Sequence, residues 1–365
     1  MKCAIVILNW NTRDLLEKYL PLLIDSVKGM DAQVIVADNA STDGSQELLK
    51  EKFPQTPTIL FDKNWGFTGG YNKALAQIEA EYYILINSDI EVPQVWLEPL
   101  VKWMDEHKDC GACAPKLHSA LERDRFEYAG AAGGYIDFLG YPFCRGRVMS
   151  RIEDDYGQYD NVQDVFWASG ACLMVRSKLW KELGGLDGRF FAHMEEIDLC
   201  WRIQLAGYRV CVVPQSMVWH IGGATLPQNS PWKLYLNFRN NLLMLCNNLS
   251  RTYALKFYAN GIVPIDAAAK AVKKAKRMIV LRMSLDGLSA FCYLLMFKGS
   301  WFKSVWKAHK DFRKLRTDIT EKEIINWLES NPNIKEYRVR GIYGKSIIWQ
   351  ALIRGKDVFK YIELL

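Results

Sequence analysis

Residues 82–89 read Tyr82-Tyr83-Ile84-Leu85-Ile86-Asn87-Ser88-Asp89, five apolar residues that run straight into three polar ones. A short apolar run bounded by turn-forming residues is the pattern of a buried strand. Working outward, the same pattern recurs upstream. Ala4–Leu8 is an apolar strand that ends in Asn9-Trp10-Asn11, and Gln33–Ala37 is a second that ends in Asp38-Asn39-Ala40-Ser41-Thr42-Asp43. Thr58–Phe61 is a third. Between and after these runs lie segments of helical spacing: 14–27, 42–53, 70–79 and 93–106. Strands that alternate with helices of this length predict a parallel α/β sheet. Ligands of open α/β sheets bind beyond the carboxyl ends of the strands. Three polar clusters stand at such ends. Turn chemistry alone accounts for one such cluster, whereas three at one edge mark a candidate binding site.

Downstream the pattern changes twice. Residues 110–175 are rich in glycine and aromatics, with an acidic patch at Glu153-Asp154-Asp155, and are expected to form loops and short strands over the ligand edge. Val165–Val175 reads as a strand, Phe190–Ala206 as a helix, and 209–213 and 217–219 as short strands leading to His220. After Pro231 the spacing becomes helical, over 232–247, through 265–316 and again over 321–329. The domain boundary falls near 230. It separates a sheet-bearing domain, 1–230, from a basic, aromatic-rich helical region, 231–365.

Charge divides at the same place. Residues 1–230 carry 22 Lys and Arg against 31 Asp and Glu, a net of −9, and residues 231–365 carry 25 against 10, a net of +15. An acidic front half is a poor match for nucleic acid, and no nucleic-acid-binding motif is present. A basic back half with interleaved aromatics suits an anionic membrane surface. The apolar run 278–297 contains Arg282 and Asp286, each of which costs ~2.5–3.5 kcal/mol near a bilayer centre. An interfacial helix is therefore expected in preference to a spanning one. Half of the 365 residues are apolar, which suffices for a full-sized core. Nine cysteines, an odd number set mostly in apolar runs, read as reduced and buried. Cys110-Gly-Ala-Cys113 has no second pair and reads as structural. The apolar run after Lys2 is too short for a signal peptide. No GxGxxG follows the first strand, which argues against a dinucleotide-binding dehydrogenase, and there is no Walker A loop.

Several ordered motifs together resemble the family 2 glycosyltransferases of GT-A fold, and in particular the bacterial rhamnosyltransferase-like branch that builds surface polysaccharides. These are Ile7-Leu8-Asn9-Trp10-Asn11, the run from Val36 to Ser45, Asn64-Trp65-Gly66-Phe67 with Gly69-Gly70-Tyr71-Asn72, Asn87-Ser88-Asp89, Ser169-Gly170-Ala171, Glu195-Glu196-Ile197-Asp198-Leu199-Cys200-Trp201-Arg202, and His220. The resemblance covers about residues 1–245. It implies a Rossmann-like, mostly parallel central sheet followed by a C-terminal helical extension.

The resemblance also implies roles. Asn87-Ser88-Asp89 stands where the family's DxD motif stands, with Asn in place of the first Asp. Asp89 is then a ligand of Mn²⁺ or Mg²⁺, and His220 a second ligand, since a neutral imidazole binds such a cation. Gly222-Gly223 after it would let the backbone approach a phosphate. Asp38 is expected to accept the N3–H of uracil or thymine, beside Asn9. Asn64 and Asn72, Ser88, Ser169 with Gly170, and Arg202 complete the expected nucleotide-sugar contacts, and an Arg-Asn pair at Arg239-Asn240 is expected near the diphosphate. In inverting transfer a carboxylate takes the acceptor hydroxyl's proton on the face opposite the diphosphate. Glu196 aligns with the residue that does this in the family, and Glu195 is its fallback.

The implied function is an inverting, metal-assisted glycosyltransferase, peripheral on the cytoplasmic face of the cell membrane. It would move a sugar from a nucleoside diphosphate, such as dTDP-L-rhamnose or a UDP-sugar, to a hydroxyl of a lipid-linked or polysaccharide acceptor. Two alternatives compete. A sugar-1-phosphate nucleotidyltransferase needs a Gly-rich, Arg/Lys-bearing loop after the first strand, where Asn9-Trp10-Asn11-Thr12 stands instead. A non-catalytic module that binds nucleotide sugar or membrane is kept open by Asn87.

Overall fold

The computed structural model describes residues 1–222, 230–331 and 333–362. Its first part runs β1 (Cys3–Asn9), α1 (Arg13–Ser26), β2 (Ala32–Asp38), α2 (Ser45–Lys52), β3 (Thr58–Leu60), α3 (Gly66–Leu75), β4 (Tyr82–Ile86), β5 (Ile90–Glu91), α4 (Leu97–Glu106) and β6 (Cys110–Ser119). The glycine-rich insert holds β7 (Gly134–Asp137), β8 (Pro142–Cys144), β9 (Arg147–Val148), β10 (Arg151–Ile152) and β11 (Gln163–Asp164). The chain returns to the main sheet with β12 (Cys172–Arg176), α5 (Ser177–Glu182), α6 (Glu195–Leu205) and β13 (Arg209–His220). Helices then dominate: α7 (Pro231–Ala259), α8 (Pro264–Leu295), α9 (Gly299–Leu315) and α10 (Glu321–Ser330), followed by β14 (Ile342–Tyr343) and α11 (Ile347–Arg354).

The main sheet is nine-stranded, in the order β11-β13-β6-β12-β4-β1-β2-β3, with β5 on β13. Strands β4, β1, β2 and β3 are mutually parallel, as the alternation of strands and helices predicts, and β13 runs parallel to β6. Strand β12 is antiparallel to both β4 and β6 and joins the two blocks. The alternation of a pleated strand sorts side chains to two faces. Ile5 and Ile7 join a buried cluster with Leu16 and Leu20 of α1 and Trp96 to Leu100 around α4. Ala4 and Val6 join the opposite cluster, with Tyr71 of α3, Leu199 and Trp201 of α6, and Leu242 to Leu249 of α7. Helix α7 thus packs on the same core face as α6.

The helix ends follow local chemistry. At α7 the Ser230 hydroxyl accepts from the Lys233 amide with Pro231 in the first turn, and α10 opens with a Thr320–Glu323 capping box. Some expected boundaries move. The helix expected from Phe190 begins only at Glu195, and the expected strand over 165–175 keeps only Cys172–Arg176 in β12. The two short strands expected after residue 209 are one strand with an irregularity between Val212 and Met217. Eight of the nine cysteines are buried thiols, Cys110 and Cys113 among them, and Cys292 is exposed.

Candidate active site

A cavity of about 510 Å³ opens at the carboxyl ends of β1 and β4, a size within the range of small-molecule sites, roughly 300–1,000 Å³. It gathers residues far apart in sequence: Asn64, Asn87, Ser88, Asp89, Ser169, Gly170, Glu195, Glu196 and His220 all line it. Of the residues expected from the sequence, these nine come together. Asn9, Asp38, Asn72 and Arg202 do not line it.

Strand pairing explains why Asp89 meets His220. Strand β5 follows Asp89 directly and pairs with the end of β13, with Ile90 opposite His220. Nε2 of His220 lies 3.1 Å from Oδ1 of Asp89, and Nδ1 lies 3.4 Å from Oε1 of Glu127. All three side chains are buried. Burial pulls the imidazole pKa down, but the two carboxylates outweigh it and lift it to about 10. The same contact overrides burial at Asp89 and holds its carboxyl below the ordinary range. A buried carboxylate provides an oxygen donor of the kind Mn²⁺ or Mg²⁺ accepts, and the imidazole provides a nitrogen donor once it gives up the proton that the two carboxylates hold on it. Among the described residues no group of three or more His, Cys, Asp and Glu side chains is arranged to hold a metal ion, so Asp89 and His220 fit as a partial ligand set that a diphosphate would complete. Glu127 has no counterpart in the sequence reading, because it lies in an insert without periodic pattern. Gly223 lies outside the described residues.

A second part of the lining is built differently. Residues 190–194 form a turn in which Phe191, His193 and Met194 adopt φ of 66°, 70° and 72°. Each left-handed, non-glycine residue costs on the order of 1–2 kcal/mol. The helix expected to start at Phe190 is therefore delayed to Glu195, and its first turn carries Glu195, Glu196 and Asp198. The three acids part company there. Asp198 is fully buried and bonded, accepting from Arg202 Nε at 2.8 Å, Asn247 Nδ2 at 3.0 Å and Asn248 Nδ2 at 2.8 Å. Oε2 of Glu195 and Oε2 of Glu196 have no hydrogen-bond partner among the described residues. Burial pushes both carboxyls upward, Glu196 to about 7, and the charge of Glu196 adds to the rise at Glu195. Burial also lowers His193 to about 4, so its ring is neutral, and its Nε2 is likewise unpartnered. Gly66 is required opposite this turn: it has φ +70°, and a Cβ there would meet the Phe191 ring at 2.5 Å.

Four residues expected as nucleotide-sugar contacts hold protein partners and lie outside the cavity lining. Asn72 donates to Leu186 O at 2.7 Å and accepts from Leu186 N at 2.9 Å. Arg202 is spent on Asp198 and on the carbonyls of Leu183 and Gly185, at 2.8 Å each. Asp38 is fully buried and accepts from Asn9 Nδ2, Ser41 N and Gln46 Nε2 at 2.8, 2.9 and 2.7 Å. Asn9 is equally buried. These two brace the turn from below, while Asn39 and Asn64 line the cavity. Arg239 and Asn240, expected near the diphosphate, instead bond to the backbone of residues 189–193. The lining also includes Trp10, Phe67, Phe191, His193, Trp232 and Lys233. Sequence gave no signal for Lys233. Phe191 and Trp232 were legible only as aromatic residues next to informative motifs.

The profile described as Glycosyl transferase family 2 matches residues 4–183. The chain is 25% identical over 246 residues, 65% of its length, to the O-antigen biosynthesis protein RfbC of Myxococcus xanthus, of which the match covers 19%. It is 26% identical over 205 residues, 51% of its length, to the N-acetylglucosaminyl-diphospho-decaprenol L-rhamnosyltransferase of Mycobacterium tuberculosis, of which the match covers 66%. It is also 26% identical over 209 residues, 54% of its length, to the rhamnosyltransferase WbbL of Escherichia coli, covering 76% of that protein. The chain thus spans less than two thirds of the first two relatives. Among solved structures, GalNAc-T7 with UDP, GalNAc and Mn²⁺ superimposes with a TM-score of 0.51 at 15% identity, over 67% of this chain and 47% of that one. The shared architecture is the GT-A fold. Taken with the residues gathered at the sheet edge, these likenesses show that residues 4–183 carry a domain of the kind described as glycosyl transferase family 2.

Proposed function

We propose that the protein is an inverting glycosyltransferase of glycan biosynthesis, transferring a rhamnosyl or other hexosyl unit from a nucleoside diphosphate to an acceptor hydroxyl. The observation that carries this reading is the presence of two different polar groups in the lining of one cavity. Asp89 and His220 form one group, and Glu196, whose Oε2 has no hydrogen-bond partner among the described residues, belongs to the other. Asn64, Asn87, Ser88, Ser169 and Gly170 hold the donor. Glu196 accepts the proton of the acceptor hydroxyl while that oxygen forms its bond to the anomeric carbon. The bond from the anomeric carbon to the diphosphate oxygen breaks with its electron pair, and the diphosphate leaves. Glu195, whose Oε2 likewise has no partner among the described residues, is the fallback base. Asp89 and His220 would hold the divalent cation. That cation, when bound, supplies positive charge against the diphosphate. A pKa near 7 suits a general base at neutral pH.

The donor is dTDP-L-rhamnose or a UDP-sugar, and the acceptor a lipid-linked or polysaccharide glycan. The named relatives act in O-antigen synthesis and in rhamnosyl transfer to a polyprenyl-linked sugar, which supports this choice. Residues 1–230 carry donor binding and the base, and residues 231–365 dock the enzyme on the cytoplasmic face of the membrane. Helix α8 is long and apolar enough to cross a membrane by length and composition. Arg282 and Asp286 tie it into the fold, however, through Leu139 O, Asn241 and His309. Its exposed side carries Val280, Leu281, Leu288, Phe291, Leu294 and Leu295, and the turn to α9 adds Met296 and Phe297. Between residues 267 and 310 the chain has ten Lys and Arg and one acid, the buried Asp286. An apolar face ringed by cations matches an anionic bilayer interface.

Thermal-shift titration with UDP, dTDP, GDP and CDP and their sugars, with and without Mn²⁺, tests the reading. A metal-dependent shift with UDP or dTDP that Asp89→Ala removes is expected. Absence of any shift in folded protein would overturn it.

A further inference from the structure

Helix α7 belongs to the C-terminal region, yet two of its residues reach the wall of the base. Nδ2 of Asn240 lies 3.0, 2.7 and 2.7 Å from the carbonyl oxygens of Phe190, Ala192 and His193, and its two hydrogens serve these three acceptors. Nη2 of Arg239 donates to the carbonyls of Arg189 and Phe190 at 3.2 and 2.7 Å. Nε of Arg239 donates to Oδ1 of Asn240 at 2.8 Å. That bond fixes which end of the amide faces the turn, since a guanidinium only donates and a carbonyl only accepts. Tyr235 completes the chain: its hydroxyl accepts from Arg239 Nη1 at 3.1 Å and lies 2.8 Å from Asp311 of α9. Asn240 is fully buried and Arg239 nearly so. On the other side, the Phe67 and Thr68 amides of α3 donate to Phe191 O at 2.8 and 3.2 Å.

Every carbonyl from 189 to 193 is therefore held from outside the turn. This is the arrangement a left-handed, non-glycine segment needs to persist, because its own backbone favours other conformations. The turn ends on Met194, and Glu195 and Glu196 follow at once. Where the turn goes, the carboxylates go.

We propose that Asn240, oriented by Arg239, is a positioning residue: it holds the 190–194 turn so that the Glu196 carboxylate faces the donor cavity. The proposal rests on the reading of Glu196 as base. It also gives the C-terminal region a direct part in the chemistry, separate from membrane docking. Neither residue lines the cavity itself.

The test uses the full chain, with hydrolysis of dTDP-L-rhamnose, UDP-glucose and UDP-N-acetylglucosamine as assay, calorimetry with UDP and dTDP plus Mn²⁺, and amide hydrogen exchange over residues 189–196. Asn240→Ala is expected to lower kcat at least ~30-fold while KM and nucleotide Kd change less than ~3-fold, and to speed exchange over 189–196 at least ~10-fold. A folded Asn240→Ala protein with unchanged kcat and unchanged exchange would overturn the proposal. Should that variant not fold, Tyr235→Phe removes one support of Arg239, and faster exchange confined to 189–196 is expected. Unchanged exchange there would overturn the proposal as well. Glu196→Gln, run in parallel, separates the two ideas. Full kcat in that variant would overturn the base reading and the catalytic half of this inference, while exchange in Asn240→Ala would still decide whether the turn is clamped.

Discussion

The two ends of the cavity are built on opposite rules. At the ends of β1 and β2 the polar groups are bonded to one another: Asn9 to Asp38 and Ser41, Asn11 to Ser41 and Thr42, and Thr12 to Ser88. Before α6 the carbonyls of residues 189–193 are held, but Glu195, Glu196 and His193 each keep a polar atom without a partner among the described residues. The first region is a rigid floor whose groups are satisfied before any ligand arrives. The second is a wall whose groups are left short of partners. A buried polar atom without a hydrogen bond costs ~1–3 kcal/mol, and a fold retains that cost where a substrate supplies the partner. The difference between floor and wall separates groups that are satisfied within the protein from groups left to meet a ligand.

The strongest way to break this comparison is to neutralise the wall. Glu196→Gln keeps shape and volume, and transfer or donor hydrolysis is expected to fall ~10²–10⁴-fold, the span of general-base catalysis, with nucleotide affinity in calorimetry unchanged. Breaking the floor should act on stability first. Asp38→Ala leaves donors of Asn9, Ser41 and Gln46 without their acceptor, and each buried unpaired group costs ~1–3 kcal/mol, so a lower unfolding midpoint in urea is expected, by far more than Glu196→Gln shows.

A pH series sharpens the contrast. With Glu196 raised to about 7 from an ordinary 4.5, kcat should climb about tenfold per pH unit below that value and level above it, since only the carboxylate accepts a proton. Stability moves the other way. The folded state binds the proton more tightly than the unfolded chain, so this group's contribution is complete below pH 4.5 and is lost as pH rises through about 7. Urea unfolding of wild type against Glu196→Gln should therefore converge at pH 4.5, with the variant relatively more stable at pH 8. The smallest expected effect lies far from both walls. Phe297 is 97% exposed, and Phe297→Ser should weaken sedimentation with anionic vesicles about tenfold, in line with ~1.5–3 kcal/mol for burying such a side chain. Catalysis on a soluble acceptor should not change.

Much of the floor was legible in the sequence. Strands β1, β2 and β4 and the polar residues at their ends follow from short apolar runs and turn chemistry, both local properties. Asp89, Glu195, Glu196 and His220 stood out through motif order along the chain. Only the tertiary structure decided how those residues divide the work. Three acids within four positions of α6 look alike in sequence, yet Asp198 is consumed by Arg202, Asn247 and Asn248 while its two neighbours are left open. Arg202 and Asn72, plausible ligand contacts by sequence, are bonded to protein backbone. Glu127 meets His220 across a separation of 93 residues, and Asn240 meets the 190–194 turn from a helix about 50 residues on. The physical reason is the same in each case. Periodicity and turn preference are set by neighbours in the chain, whereas which buried polar group finds a partner is set by what the fold carries to it from elsewhere.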